Sequence, residues 1–170
     1  MTTRREVLQG LIVSIGGATA LTACGGVANV LSTRPGSAAR FYTSEEYALV
    51  TRISDLIIPR TETPGAVDAN VPGYMDGLMT DWANNETKNA HRTALRQIKV
   101  ELDRRASGNF LEASGSEAEQ SLVSFDAAAF AEDGDASGYK RVKGYVSQSY
   151  FATEDGATEE LKWVAFPGRW

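Results

Sequence analysis

The stretch that decides the fold class is ETKNAHRTALRQIKVELDRR, residues 86–105. Its apolar residues recur at the spacing of one helix face. They are Ala90, Ala94, Leu95, Ile98 and Leu102. Charged residues fill the outside, including Glu101 and Arg105 at a stabilising four-residue spacing, and residues 107–109 (SGN) end the pattern. The stretch predicts a long amphipathic helix, on whose charged side we expect His91 as a solvated histidine.

A second helix is predicted on the N-terminal side of this stretch. Ser44 is a natural N-cap, and the glutamates at 45 and 46 favour the positive end of a helix. Apolar residues then follow at helical spacing. They are Tyr47, Val50, Ile53 and Ile57. Pro59 is expected to end this helix, and the apolar stripe is interpreted as core.

Residues 59–66 (PRTETPGA) predict a rigid loop, because two prolines fix the backbone and Gly65 permits a turn. Pro72 then suits the first turn of a short helix. We expect its apolar face to consist of Tyr74, Leu78 and Trp82. Asp76 and Asp81 are expected on the opposite, polar face.

Two further helices are predicted on the C-terminal side. Residues 116–119 (SEAE) have a capping-box signature. The expected buried face of this helix is Ala118, Leu122, Phe125 and Ala129. In the helix from 139 to 150, one side carries Tyr139, Val142 or Lys143, Val146 and Tyr150. No segment alternates with a period of two, so we predict an all-α domain of about four to five helices with an irregular aromatic C-terminal tail.

The first 23 residues are typical of an export signal. A short positive segment precedes a twelve-residue apolar run, residues 10–21, which is too short to span a bilayer. Residues 3–8 (TRREVL) resemble a twin-arginine signal through Arg4 and Arg5. The alternative is a general secretory signal that carries two arginines.

The apolar run ends in Leu21-Thr22-Ala23-Cys24, which resembles a lipobox. Lipidation of Cys24 would anchor the chain stably, since two or more acyl chains are enough. The alternative is cleavage nearby by the ordinary peptidase, with an unmodified Cys24. We therefore predict a signal peptide over 1–23, a flexible tether rich in small residues over 24–40, and a helical domain over 41–170.

Composition argues against several classes of function. The net charge is −5, so the basic footprint of a nucleic-acid binder is missing. One cysteine precludes an internal disulfide, and one histidine precludes a histidine-rich metal site. The acidic turn at 132–135 lacks the further oxygen ligands that calcium needs. There is also no phosphate loop, dinucleotide fingerprint, haem-attachment motif or iron–sulfur cysteine set. We therefore predict no catalytic, cofactor-binding or metal-ligating residue in this chain.

Aromatic residues are concentrated near the C-terminus, where seven of the 15 lie in the last 32 residues. Trp163 and Phe166 could pack back on the helices or dock into a partner, because tryptophan, tyrosine and arginine are enriched at interface hot spots. For Trp170, at the end of the chain, docking is the preferred interpretation.

Several segments together resemble a known family. They are the Arg-Arg leader, SEE at 44–46, ISDLIIP at 53–59, TETPGA at 61–66, GY at 144–145, YFATEDGA at 150–157 and FPG at 166–168. The chain resembles the gluconate 2-dehydrogenase subunit 3 family, the small subunits of membrane-bound, FAD-dependent sugar dehydrogenases. It departs from the family pattern in the acidic insert at 132–135 and in Phe166, where valine or isoleucine is expected.

The resemblance implies a non-catalytic subunit with a large flavoprotein partner of the glucose–methanol–choline type, which oxidises a sugar or sugar acid. The FAD would belong to that partner, and a cytochrome c subunit often takes the electrons. The small subunit would carry the export signal, aid maturation and attach the complex to the periplasmic side of the membrane. The alternative is a free-standing periplasmic lipoprotein that acts as a binding module. The expected partner interface is Pro59, Thr61, Thr63, Pro64, Tyr150, Phe151, Trp163, Phe166 and Trp170.

Overall fold

The computed structural model describes residues 39–164, which form five α-helices, one short π-helix and no strand. The elements are α1 (Ser44–Ile57), α2 (Val71–Asp81), α3 (Asn85–Arg105), α4 (Gly115–Ala129), α5 (Ser137–Phe151) and the π-helix Gly156–Glu160. The prediction of a small all-α domain is confirmed. Arg4, Arg5, Cys24, Phe166 and Trp170 lie outside the described residues, so the predictions made for them stay predictions.

The two central helices, α3 and α5, pack against each other most extensively. Helix α2 packs on α5 and helix α4 on α3, while α1 contacts all four other helices. The apolar stripe predicted on α3 is buried from Ala94 to Leu102. The stripes predicted on α4 and α5 are buried as well, with Val142 in the core. Lys143 instead pairs with Asp126 across a distance of 2.6 Å.

Both predicted capping residues were misplaced. Helix α1 is capped by Thr43, whose hydroxyl accepts the Glu46 amide while the Glu46 carboxylate accepts the Thr43 amide. Helix α4 is capped in the same reciprocal way by Ser114 and Glu117. A capping box needs the hydroxyl three residues before the acid. That spacing selects Thr43 rather than Ser44. Ser116 and Glu119 have the same spacing as Ser114 and Glu117, but the helix already begins at Gly115, so the earlier pair forms the cap.

The predicted face of α2 is wrong. Its buried apolar residues are Val71, Met75 and Met79, whereas Trp82 is 64% exposed. Asp76, expected on the polar outside, is only 1% exposed. Two apolar stripes compete on this short helix, and the helix turns Asp76 inward because its carboxylate binds backbone amides described below.

The prediction for His91 is also wrong, because this side chain is only 1% exposed. It lies one turn before Ala94 and Leu95 on the same stripe that continues through Ile98, so it belongs to the buried face of α3. Within residues 39–164, no helix is long and apolar enough to cross a bilayer.

Candidate docking surface

The proline-rich loop after α1 is closed by its own backbone. The Ala66 amide donates to the Ile58 carbonyl at 2.9 Å, and the Gly65 amide donates to the Asp68 carboxylate at 2.9 Å. A Cβ atom on Gly65 would lie 2.6 Å from the backbone nitrogen of Arg60, so glycine is needed for this close approach. The side chains of Arg60 and Asp68 form an ion pair across the loop. The loop is therefore a fixed shape that the sequence builds locally.

Tyr150, near the end of α5, holds the loop from beneath. Its side chain is only 1% exposed, and its hydroxyl donates to the Pro64 carbonyl at 2.7 Å. Burial raises the pKa of Tyr150, and the negative charge of Glu160 acts in the same direction. The Thr63 hydroxyl donates to the Glu160 carboxylate. These two hydrogen bonds join segments 86 and 97 residues apart in sequence into one surface.

The chain turns sharply after α5. A Cβ atom on Gly156 would lie 2.2 Å from the Tyr150 carbonyl oxygen, so the turn requires a residue without a side chain. The Leu161 amide then donates to the Gly156 carbonyl at 3.2 Å, and the Trp163 amide donates to the Ala157 carbonyl at 2.9 Å. This turn places the last described residues outward, and Trp163 is 60% exposed.

We define the docking face as the loop 59–68 together with the segment 151–164. It contains about a fifth of the described residues but five of their nine large exposed apolar side chains. These are Val67, Phe151, Leu161, Trp163 and Val164. The face also carries six acidic and two basic residues. The acids are Glu62, Asp68, Glu154, Asp155, Glu159 and Glu160, and the bases are Arg60 and Lys162.

The structure brings seven of the nine predicted interface residues to this region. Pro59, Thr61, Phe151 and Trp163 are exposed, Thr63 and Pro64 are half-buried, and Tyr150 is buried. Tyr150 therefore contributes by positioning the loop rather than by presenting its own side chain. Sequence reasoning missed Val67, Leu161, Val164 and the acidic surroundings. The signal for the acidic surroundings was present in the glutamate-rich run 154–160.

A second cluster of polar contacts holds the start of the domain, and we call it the N-terminal clamp. One oxygen of the Asp76 carboxylate accepts the amides of Phe41 and Tyr42 at 2.9 and 3.0 Å, and the other accepts the Arg40 amide at 2.9 Å. The Arg40 guanidinium also pairs with Asp81 at 2.9 Å. The clamp therefore fixes residues 40–42 against α2.

His91 supports the clamp from α3. Its Nε2 atom lies 2.8 Å from the Tyr42 hydroxyl, and its Nδ1 atom has no hydrogen-bond partner in the described part of the chain. Burial lowers the pKa of His91 to about 4; the charge of Glu46 opposes this shift and that of Arg141 adds to it. The ring packs against Tyr145 at a centroid distance of 5.7 Å. The histidine is therefore neutral near pH 7 and acts as a packed structural residue.

A cleft with a volume of about 480 Å³ lies elsewhere, between α3, α4 and α5. Its wall includes Arg105, which donates to Glu101 at 2.9 Å and to Ser124 at 3.0 Å. Hydrogen bonds from Arg104 and Arg105 lower the pKa of Glu101 to about 2. A general acid or base works best with a pKa near the operating pH, and Glu101 is far from it. In residues 39–164, no group of three or more acidic, histidine or cysteine side chains is placed to hold a metal ion.

Comparison with known proteins identifies a family. No curated protein and no solved structure matches the chain significantly. The family model for gluconate 2-dehydrogenase subunit 3 matches residues 44–168, which contain all five α-helices and the docking face. A subunit family of this kind implies a partner within a dehydrogenase complex. The chain belongs to the gluconate 2-dehydrogenase subunit 3 family.

Proposed function

We propose that this chain is the non-catalytic small subunit of a periplasmic, FAD-dependent dehydrogenase that oxidises a sugar or sugar acid. The observation that carries the proposal is the family match over residues 44–168. The large subunit would be a flavoprotein of the glucose–methanol–choline type and would hold the FAD. A cytochrome c is the electron acceptor that fits such a complex.

The leader supports a role in delivery. The twin-arginine route exports folded proteins, so it suits a partner that takes up its cofactor before it crosses the membrane. In this proposal, Arg4 and Arg5 direct export of both subunits together. Lipidation of Cys24 would then hold the complex at the membrane, because two or more acyl chains anchor a protein stably.

Deletion of this chain tests the proposal. We expect the flavoprotein to stay in the cytoplasm or to be poorly loaded with FAD, as measured by cell fractionation and flavin content. Normal periplasmic dehydrogenase activity in the deletion strain would refute the proposed function.

The leader is tested by Arg4→Lys combined with Arg5→Lys, with Arg34→Lys as a control outside the leader. Only the leader variant should block export of both chains. For the anchor, mass spectrometry of the membrane fraction should find a lipidated Cys24 at the mature N-terminus. An unmodified thiol there would exclude the anchor.

A tagged pull-down of the full chain distinguishes the proposal from the alternative of a free-standing lipoprotein. The proposed subunit should co-purify with a protein that has flavin absorbance. A stable monomer without flavin would favour the free-standing binding module.

A further inference from the structure

The large exposed apolar side chains of the docking face are concentrated in two short segments of the chain. Phe151, Leu161 and Trp163 are 42%, 58% and 60% exposed and lie within one C-terminal segment. Exposed apolar residues scattered singly over a surface are ordinary, whereas a concentration of them marks a contact site. The other large exposed apolar residues of the described chain are Trp82, Val100, Val123 and Phe130. They belong to α2, α3 and α4 or follow directly after those helices, so they do not form a comparable run.

The face is also held in one shape before any partner binds. Tyr150 fastens the loop through the Pro64 carbonyl, and Thr63 fastens it to Glu160. Gly65 and Gly156 allow backbone approaches that a Cβ atom would prevent. A preorganised surface loses little conformational entropy on binding, so more of its contact energy appears as affinity.

The charges around these apolar residues have a single dominant sign. Arg60 is already paired with Asp68, which leaves five carboxylates and one lysine, Lys162. Within residues 39–164, none of the five carboxylates forms an ion pair. Unpaired charges at the rim of an interface steer association and select a partner of opposite charge.

We propose that the docking face binds an apolar groove on the large flavoprotein subunit whose rim is formed by arginine and lysine side chains. Trp163 and Phe151 enter the groove, and the carboxylates of Glu62, Glu154 and Glu159 face its basic rim. This inference rests on the proposed function, since it names the partner surface of that same complex. A second copy of this chain is a poorer occupant, because it would place the same acidic rim against itself.

The apolar part is tested with two tryptophans of similar exposure. Trp163→Ala is compared with Trp82→Ala, since these side chains are 60% and 64% exposed. The probe is the flavoprotein that co-purifies with the tagged full-length chain, identified by its flavin absorbance and then separated. Trp163→Ala should raise its Kd by about thirty-fold or more, as truncation of a hot-spot residue does. Trp82→Ala should change Kd less than about three-fold, and both variants should keep the unfolding temperature of the wild type.

The charged part is tested with two triple variants that change the net charge equally. The first carries Glu62→Gln, Glu154→Gln and Glu159→Gln. The control carries Glu119→Gln, Glu132→Gln and Asp133→Asn, three exposed acids outside the docking face. The first variant should slow association about tenfold at low salt and flatten the salt dependence of kon. The control should leave both quantities close to those of the wild type.

The outcomes separate this inference from the proposed function. In one outcome, the flavoprotein binds while the two tryptophan variants have equal Kd values or the two charge variants have equal association rates. In that case the binding site assigned to the docking face is wrong and the proposed function stands. If the face captures a protein without flavin through Trp163 and the carboxylates, the flavoprotein partner named here is wrong and the proposed function falls. Self-association that depends on Trp163, measured by sedimentation, would assign the face to a second copy and overturn the inference.

Discussion

Replacement of the Asp76 carboxylate should loosen the N-terminal clamp. Asp76→Ala removes three hydrogen bonds, to the amides of Arg40, Phe41 and Tyr42. Arg40 is exposed, so its amide can turn to water, but Tyr42 is only 5% exposed and its amide would be left without a partner. An orphaned buried donor costs about 1–3 kcal/mol, and hydrogen bonds to a charged acceptor contribute about 1.5–3 kcal/mol each.

Asp76→Ala also removes the free-energy cost of burying the carboxylate, which offsets part of this loss. The net cost of Asp76→Ala should therefore be about 3 kcal/mol, which lowers Tm by roughly 10 °C in a domain of this size. Asp76→Asn should cost less, about 1 kcal/mol, because its oxygen can still accept two amides while its NH₂ group opposes the third. Asp81→Asn is the control, since it removes only the half-exposed pair with Arg40 and should cost below about 1 kcal/mol.

Thermal unfolding followed by far-UV circular dichroism measures these changes, and hydrogen exchange at residues 40–42 reports on the clamp itself. Asp76→Ala should lose exchange protection at the Tyr42 amide, whereas Asp81→Asn should keep it. Equal Tm shifts in Asp76→Ala and Asp81→Asn, with protection retained in both, would refute the role assigned to the buried carboxylate.

Three further predictions concern Tyr150, His91 and two glycines of the C-terminal part of the domain. Tyr150→Phe removes the hydrogen bond from the hydroxyl to the Pro64 carbonyl, which should lower the free energy of unfolding by about 1 kcal/mol and weaken flavoprotein binding. The control Tyr74→Phe should change neither thermal unfolding nor binding. The pKa of His91 is lowered to about 4 from an ordinary value of 6.5. Between these two pH values the unfolded chain binds more protons than the folded one. The free energy of unfolding should therefore fall as pH drops from 6.5 to 4, by up to about 3 kcal/mol. Urea unfolding across that pH range should show the loss, His91→Gln should flatten it, and an unchanged slope in that variant would contradict the assignment. Gly144→Ala, with open space around the new Cβ, should stabilise α5 by about 0.5–1 kcal/mol. Gly156→Ala should lower Tm and weaken flavoprotein binding, because its Cβ would meet the Tyr150 carbonyl. Equal Tm values for the two alanine variants would show that the turn after α5 is not tight.

Helical periodicity was enough to predict the long elements. The stripe from Ala94 to Leu102 on α3 is unambiguous, because no competing apolar face exists on that helix. The short α2 has two apolar stripes, and the prediction took the one formed by Tyr74, Leu78 and Trp82. The correct stripe was selected by Asp76, whose partners are backbone amides more than thirty residues earlier in the chain. A long-range bond between a side chain and the backbone leaves no periodic signal, so it could not be predicted.

The docking face shows the same division between local and long-range information. The loop 59–66 was predicted as rigid because prolines and a glycine act locally. Its contact with α5 depends on the Tyr150 hydroxyl, and a tyrosine at a core position does not reveal which carbonyl it binds. His91 was misjudged for a different reason. A lone histidine on a helix rich in charged residues was expected to be exposed, yet its spacing from Ala94 and Ile98 already placed it on the buried stripe.

Helix α2 links the docking face to the N-terminal clamp. The amide of its first residue, Val71, donates to the Ala66 carbonyl in the loop 59–68 of the docking face at 2.8 Å. Asp76, one and a half turns later, holds the N-terminal clamp. The eleven residues of α2 span about 16 Å, at about 1.5 Å per residue. The same helix packs on α5, which carries Tyr150 beneath the loop. The point where the N-terminal segment joins the domain is thus fixed relative to the docking face by one short, packed helix. In the proposed complex, a change in tether length would alter the distance between membrane and flavoprotein but leave the docking geometry unchanged, whereas damage to the clamp would alter where the tether leaves the domain.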